Sequence, residues 1–161
     1  MAAQLWLLRH GEAEPHDARP DHERRLTERG EAQARDAGRA LAATGVRFGL
    51  VFTSPKVRAL DTARLACEAL GVDPVLHPPL GEGLDVPEAL ALAAAGGQDG
   101  RTLLVGHEPD LSQVVHDLTG ARAQLKKGGV AGIALRPTTG GELLVLLRPR
   151  ELRVLAAGAP S

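Results

Sequence analysis

Aromatic side chains are nearly missing from this sequence: one Trp, two Phe and no Tyr make up 2% of the residues. Base stacking, on which single-strand nucleic-acid binders depend, has almost nothing to use. The core has to be built from Leu, Val and Ala instead. Cysteine is as scarce. The single Cys67, inside the helical pattern ARLACEAL, excludes a disulfide framework and a cysteine-rich zinc site and reads as a small buried apolar residue. Neither sign of charge is in excess. With 19 basic and 20 acidic side chains and a formal net charge of -1, no global field favours nucleic acid or an anionic membrane, so any anion binding has to be local.

Long hydrophobic runs are absent too. No stretch approaches the roughly 20 apolar residues of a membrane span, and no basic leader, apolar stretch and small-residue cleavage site follow one another at the start. A soluble cytoplasmic protein without nucleic-acid or membrane partners is the expectation. HxxxH and similar spacings are missing, so no metal site and no cofactor is expected, and activity should survive chelators.

What is present is an alternation of strands and helices, without repeats, linkers or low-complexity tracts. At 161 residues the chain is expected to form one domain, residues 1–161. Residues 4–8 read as a first strand, followed by a polar, Pro-interrupted loop. Residues 26–45 read as a helix capped by Thr27 and stopped by Gly45. The short apolar run FGLVFTS reads as a strand. PKVRALDTARLACEALG then reads as a helix with Ser54 at its cap, Pro55 at its first position and Gly71 past its end. DPVLH is a candidate short strand, and DVPEALALAAAGG a helix in which Asp85 and Glu88 have capping-box spacing. RTLLVGH is another buried strand, leading into a helix that opens at Pro109. The segment VAGIALRPTTGGELLVLLRP reads as two strands joined by a turn. The predicted fold is α/β: a three-layer α/β/α sandwich with a mostly parallel sheet and an antiparallel C-terminal strand.

In open α/β sheets ligands bind at the carboxyl ends of the strands, where helix N-termini and loops converge. Three predicted strands end in chemically capable residues: Arg9-His10-Gly11, Thr53-Ser54-Pro55 with Arg58 a turn further on, and Gly106-His107-Glu108-Pro109. If those strands are parallel, two imidazoles and two guanidiniums gather at one edge. That set suits a tetrahedral, multiply charged oxyanion, because the guanidinium fork binds phosphate oxygens in bidentate fashion. One imidazole is also able to attack phosphorus, provided it is neutral and its second ring nitrogen is held by an acceptor such as a backbone carbonyl. The neighbouring arginines favour that neutral form. Gly11 would let the backbone approach an anion closely.

Three blocks, LLRHGEA, VFTSPKVRALDTA and LLVGHEP, resemble in order the histidine phosphatase superfamily, and the resemblance extends over nearly the whole chain. It implies an α/β/α sandwich and a covalent phosphohistidine intermediate. It further implies His10 as nucleophile, Arg9 and Arg58 as holders of the phosphoryl oxygens, and His107 as a hydrogen-bond donor in the transition state. The short length and the PLGEGLD segment are most similar to the small phosphohistidine phosphatases. The mutases and many phosphatases of the superfamily carry an Asn shortly after the RHG signature. This chain has EAEPHDA there, which weakens a mutase reading.

The leaving group needs a proton, commonly from a carboxylic acid. Glu82 in LGEGLD is the first candidate, with Glu108 and Glu12 as alternatives. Ser54 is open to two readings, phosphate ligand or helix cap. His16, His22, His77 and His116 lack comparable context and read as surface or partly buried residues. Lys126-Lys127 reads as a solvated loop or as a rim that attracts an acidic phosphoprotein or phosphate ester. The run DHERR reads as a self-compensating charged stretch, or as part of the entrance wall. The leading functional reading is a metal-independent phosphatase acting on protein phosphohistidine. A small-molecule phosphomonoesterase is the alternative, and a non-catalytic phosphate-binding module a third reading.

Overall fold

The apolar run at residues 5–8 lies inside strand β1 (Gln4–Arg9), and all four of its side chains are buried. A strand apolar on successive residues has to be covered on both faces, and the computed structural model, which describes residues 2–97, 99–138 and 140–159, covers it so. Residues 1, 98, 139, 160 and 161 of the expected domain lie outside that description, Thr139 in the expected hairpin turn among them. Along the chain β1 is followed by α1 (Glu28–Ala43), β2 (Leu50–Thr53), α2 (Val57–Leu70), β3 (Val75–Leu76) and α3 (Val86–Ala95). Then come β4 (Arg101–Gly106), α4 (Asp110–Thr119), β5 (Val130–Leu135), β6 (Gly141–Leu147) and α5 (Pro149–Ala157).

The strands form one sheet in the order β3-β2-β4-β1-β5-β6. β1, β2, β3 and β4 run parallel, while β5 and β6 pair antiparallel, giving the predicted mixed α/β sheet. Side chains alternate across it. Leu5, Leu7, Leu104 and Ile133 pack with Leu92 of α3 and with Leu111, Val115 and Leu118 of α4. Trp6, Leu8, Leu103 and Val105 pack on the opposite face with Leu41 of α1, Ala63 of α2 and Leu152 of α5. Leu and Ala carry most of both layers, as the aromatic shortage requires. Truncating one of these Leu to Ala typically costs roughly 2–5 kcal/mol.

Local signals explain most element ends. The Thr27 side chain accepts from the Gly30 N–H at the start of α1 (3.1 Å), and Asp85 does the same for Glu88 at α3 (3.0 Å). The reciprocal half of the α3 capping box is absent among the described residues, because the Glu88 carboxylate turns to His77 Nε2 instead. α2 begins at Val57 rather than at Pro55, because Ser54 Oγ accepts from the Lys56 N–H (3.2 Å) in a tight turn ahead of the helix. Helix α5 goes beyond the elements expected from the sequence, although Pro149 opens it, the Glu151 carboxylate accepts from the Arg148 N–H, and Leu152 and Ala156 are buried four residues apart.

Strand register determines where the chemically capable residues emerge. Arg9 of β1 pairs with Gly106 of β4, and Thr53 of β2 pairs with Val105. The three strands therefore finish side by side, and the ladder continues one residue further, from the His10 N–H to the Gly106 carbonyl and from the Ser54 N–H to the Val105 carbonyl.

Candidate active site

Because the strands end together, His10, Ser54 and His107 leave the sheet at one edge. All three are buried, as is Arg58 from the first turn of α2. The two imidazole rings stand with centroids 5.2 Å apart and planes inclined by 52°. Arg9 is partly exposed and donates through Nη1 to the Leu125 carbonyl (2.9 Å). The two imidazoles and two guanidiniums singled out in the sequence thus come from β1, α2 and the β4-α4 turn to one place.

The two imidazoles are held in different ways. His10 Nδ1 lies 2.7 Å from the Gly11 carbonyl, an acceptor only, so Nδ1 must carry a proton. The His10 pKa is lowered from 6.5 to about 4, mainly by burial and further by the positive charges of Arg58, Arg9 and Lys127, against the opposing bond to Gly11. At neutral pH the ring is therefore neutral with its one proton on Nδ1, and Nε2 keeps a free lone pair. His107 is held from the other ring nitrogen: Nε2 meets Ser54 Oγ at 2.8 Å, while Nδ1 is buried without a partner among the described residues. Burial, His10, Arg58 and Lys56 together lower the His107 pKa to about 3, with Asp21 opposing. Ser54 is not the cap that the sequence offered, because Lys56 occupies that position without a side-chain bond; its Oγ accepts from the Lys56 N–H and touches a site imidazole instead.

Arg58 is held by a residue that the sequence did not single out. Its Nη1 donates to the Asp21 backbone carbonyl (2.7 Å) and its Nη2 reaches the Asp21 carboxylate (3.3 Å). The same carboxylate pairs with Arg24 (3.0 Å) and Lys56 (3.2 Å). Burial raises the Asp21 pKa, but the hydrogen bonds from Arg24 and Lys56 and the charge of Arg58 outweigh it and hold the carboxyl well below the usual range. Asp21, the first residue of the DHERR run, is thus a clamp on Arg58 from the loop after β1. Thr62 adds a second brace, donating to the Arg58 carbonyl (2.7 Å) and accepting from the Gly11 N–H (3.1 Å).

That bond occupies the Gly11 amide that the sequence left open for an anion. A Cβ at Gly11 would stand 2.5 Å from the Gly30 carbonyl oxygen, so the missing side chain lets the β1 end pack against the start of α1. Two buried guanidinium N–H groups, Arg9 Nε and Arg58 Nε, and the buried ring nitrogen His107 Nδ1 lack protein partners among the described residues.

The candidate acids separate by environment. Glu108 accepts from the Ser112 N–H (2.7 Å) and the Leu125 N–H (3.3 Å), which ties α4 to the loop before β5. Glu12 accepts from the Thr27 hydroxyl (3.1 Å) and faces Arg29 at 3.8 Å. Glu82 is exposed, and its neighbour Gly81 lies against Ser54 and Pro55. Among the described residues it alone of the three has no hydrogen-bond or ion-pair partner. His77 pairs with Glu88, and His116 is exposed beside Asp117. Among the described residues no three of His, Cys, Asp and Glu cluster as metal ligands, and no helix is long and apolar enough to cross a membrane.

The chain matches the histidine phosphatase superfamily (branch 1) over residues 5–98. An uncharacterized protein of Picosynechococcus sp. is 32% identical over 92% of this chain and 98% of its own length. A 2,3-bisphosphoglycerate-dependent phosphoglycerate mutase of Methylobacterium sp. is 45% identical, but over 44% of this chain and 36% of the mutase. This chain therefore spans only about a third of that relative's length. Among solved structures, the protein histidine phosphatase SixA in complex with tungstate superposes with a TM-score of 0.83 at 24% identity, covering 92% of this chain and 99% of that one. A phosphoserine phosphatase of Entamoeba histolytica superposes with a TM-score of 0.67 at 17% identity, over 92% and 98% of the two chains. These likenesses establish the fold.

Proposed function

The chain belongs to the histidine phosphatase superfamily, and from that premise we propose that it is a metal-independent phosphatase that removes the phosphoryl group from phosphohistidine in proteins. One observation carries the reading: a neutral imidazole tethered through Nδ1 faces a cluster in which the buried N–H groups of Arg9 Nε and Arg58 Nε and the buried ring nitrogen His107 Nδ1 have no protein partner among the described residues. A buried donor left unpaired costs roughly 1–3 kcal/mol, and phosphoryl oxygens supply the acceptors.

His10 Nε2 attacks phosphorus while the bond from phosphorus to the leaving nitrogen breaks; the substrate imidazole, protonated from water on its other nitrogen, departs neutral, and the phosphoryl group rests on His10. Water then attacks that phosphorus, releasing inorganic phosphate and restoring the free Nε2. Arg9 and Arg58 hold the oxygens and offset the charge that builds on them. His107, with Ser54 donating to Nε2, carries its proton on Nδ1 and offers it as a hydrogen bond to the transition state. Asp21 keeps Arg58 in place.

Substrate class follows from the acid. An alkyl phosphate must expel an alkoxide and depends on a well-placed proton donor, whereas a phosphoramidate leaves readily once its nitrogen is protonated. The exposed position of Glu82 suits the second demand better than the first. Glu82 delivers the proton where an ester is hydrolysed slowly. The match to SixA over nearly its full length supports the same choice.

The test is turnover, in the presence of chelator, of a phosphohistidine protein, an aryl phosphate and a sugar phosphate. The reading requires kcat/KM to be highest for phosphohistidine. A higher value for the sugar phosphate would replace it with a small-molecule phosphomonoesterase, and absence of turnover on all three would remove the phosphatase altogether.

A further inference from the structure

Next to the phosphoryl site, sharing Arg9 with it, lies a pocket of about 440 Å³ that the proposed chemistry leaves unused. Six cations line it, Arg9, Arg29, Lys126, Lys127, Arg148 and Arg150, against one carboxylate, Glu12. Some of that charge is answered locally. Arg29 faces Glu12 at 3.8 Å, Arg148 pairs with Glu151 at 2.8 Å and Arg150 stands 3.8 Å from the same carboxylate. Lys126 and Lys127 have no carboxylate within ion-pair distance among the described residues. In a chain whose net charge is -1, this is a local concentration of one sign, and it focuses field on whatever enters the neighbouring site.

The lysine pair is built into place. Gly128 has φ of +79°, which a side chain would strain, and its N–H donates to the Arg9 carbonyl (3.1 Å) and the His10 carbonyl (2.9 Å). On its other side it abuts Gln33 of α1. The turn is therefore fixed to the strand that carries the nucleophile, and Lys127 lies near enough for its charge to lower the proton affinity of His10.

The occupant follows from exposure. Lys126, Lys127, Arg29, Arg148 and Arg150 are all solvent-exposed, unlike Arg58. A second phosphate of a small ligand would be gripped by buried donors, as the scissile one is. Exposed cations at a rim suit carboxylates of a large substrate that stay partly hydrated. We propose that this pocket is a specificity subsite for acidic side chains flanking the phosphohistidine of a protein substrate. The proposal rests on the phosphohistidine reading above.

Three substrates test it: an aryl phosphate with no second anion, a phosphohistidine peptide flanked by Asp and Glu, and the same peptide with Asn and Gln at those positions. The kcat/KM ratio of acidic to neutral peptide should be about tenfold at low ionic strength and fall toward one in about 0.5 M salt. In the triple variant Arg29→Gln, Lys126→Gln, Arg150→Gln the ratio should drop to within about twofold of unity. Because the readout is a ratio, a general loss of activity does not imitate the effect, and the salt series on the unaltered protein gives an independent answer. A ratio near one in the unaltered protein overturns the subsite and leaves the phosphohistidine reading standing. A ratio that survives in the triple variant places the preference elsewhere and also overturns it. Turnover of aryl phosphate with neither peptide hydrolysed removes the phosphohistidine reading and this subsite with it.

Discussion

The ends of β1 and β4 lie side by side and each delivers a buried histidine, yet the two rings are anchored differently. At the β1 end the ring is anchored by a backbone carbonyl, which forces the proton onto Nδ1 and leaves Nε2 as a lone pair. At the β4 end it is anchored by a hydroxyl, which is able to donate, and Nδ1 remains buried without a partner among the described residues. Burial lowers the pKa of both, to about 4 and about 3. Neutrality is thus common to the pair, and the anchor is what distinguishes the ring proposed as nucleophile from the ring proposed as hydrogen-bond donor. The carbonyl comes from Gly11 after β1 itself, and the hydroxyl from Ser54 at the end of the neighbouring β2.

The largest effect should come from removing the proposed nucleophile. His10→Ala is expected to lower kcat by about 10⁴-fold or more on any phosphate substrate, with an unchanged circular-dichroism spectrum. A variant that keeps the rate would make the two strand ends interchangeable. His107→Ala, by contrast, deletes one donor and should cost about 10²- to 10³-fold. Ser54→Ala leaves the ring present but removes the hydroxyl hydrogen-bonded to its Nε2. A loss of about tenfold is expected there, read in kcat rather than KM.

Stability offers a further comparison. Both imidazoles bind protons less readily in the folded chain than at the ordinary value of 6.5. Between pH 6.5 and about 4 the unfolded chain takes up more protons than the folded one. The stabilisation is therefore complete above pH 6.5 and is lost as pH falls toward about 4 for His10 and about 3 for His107. Urea unfolding at a series of pH values should show this slope, and it should flatten when both histidines are replaced by Asn. The smallest effect is expected at Glu82. Glu82→Gln should change phosphohistidine turnover by no more than about twofold while slowing an alkyl phosphate by about tenfold. Equal losses on the two substrates would contradict the role given to leaving-group chemistry.

Much of this architecture is legible in the sequence because it depends on short-range patterns. Apolar runs without alternation mark the doubly covered strands β1 and β4, and the residues directly after them mark the site edge. The antiparallel pair β5 and β6 follows from two strands joined by a Pro- and Gly-containing turn. What escapes depends on contacts distant in sequence. Asp21 sits in a run of mixed charge that looks self-sufficient, and nothing in that run records that its carboxylate meets Arg58 on another helix. Gly11 reads in the sequence as a point of anion approach, but its N–H is taken by Thr62 and its Cα faces Gly30, two relations set only when α1 and α2 pack. α5 buries few residues of a short helix after an apolar strand, so its helical period is hard to separate from the end of β6.

The central claim is that phosphoryl passes through Nε2 of His10, and trapping the phosphorylated protein tests it most directly. Phosphohistidine peptide labelled with radioactive phosphate is mixed with the protein, quenched in alkali within the first turnover, and the label is mapped. The account predicts a label stable to alkali, lost in acid and located on Nε2 of His10, with none in His10→Ala. Turnover without a trapped label, or a label on His107 or on any oxygen, would contradict it.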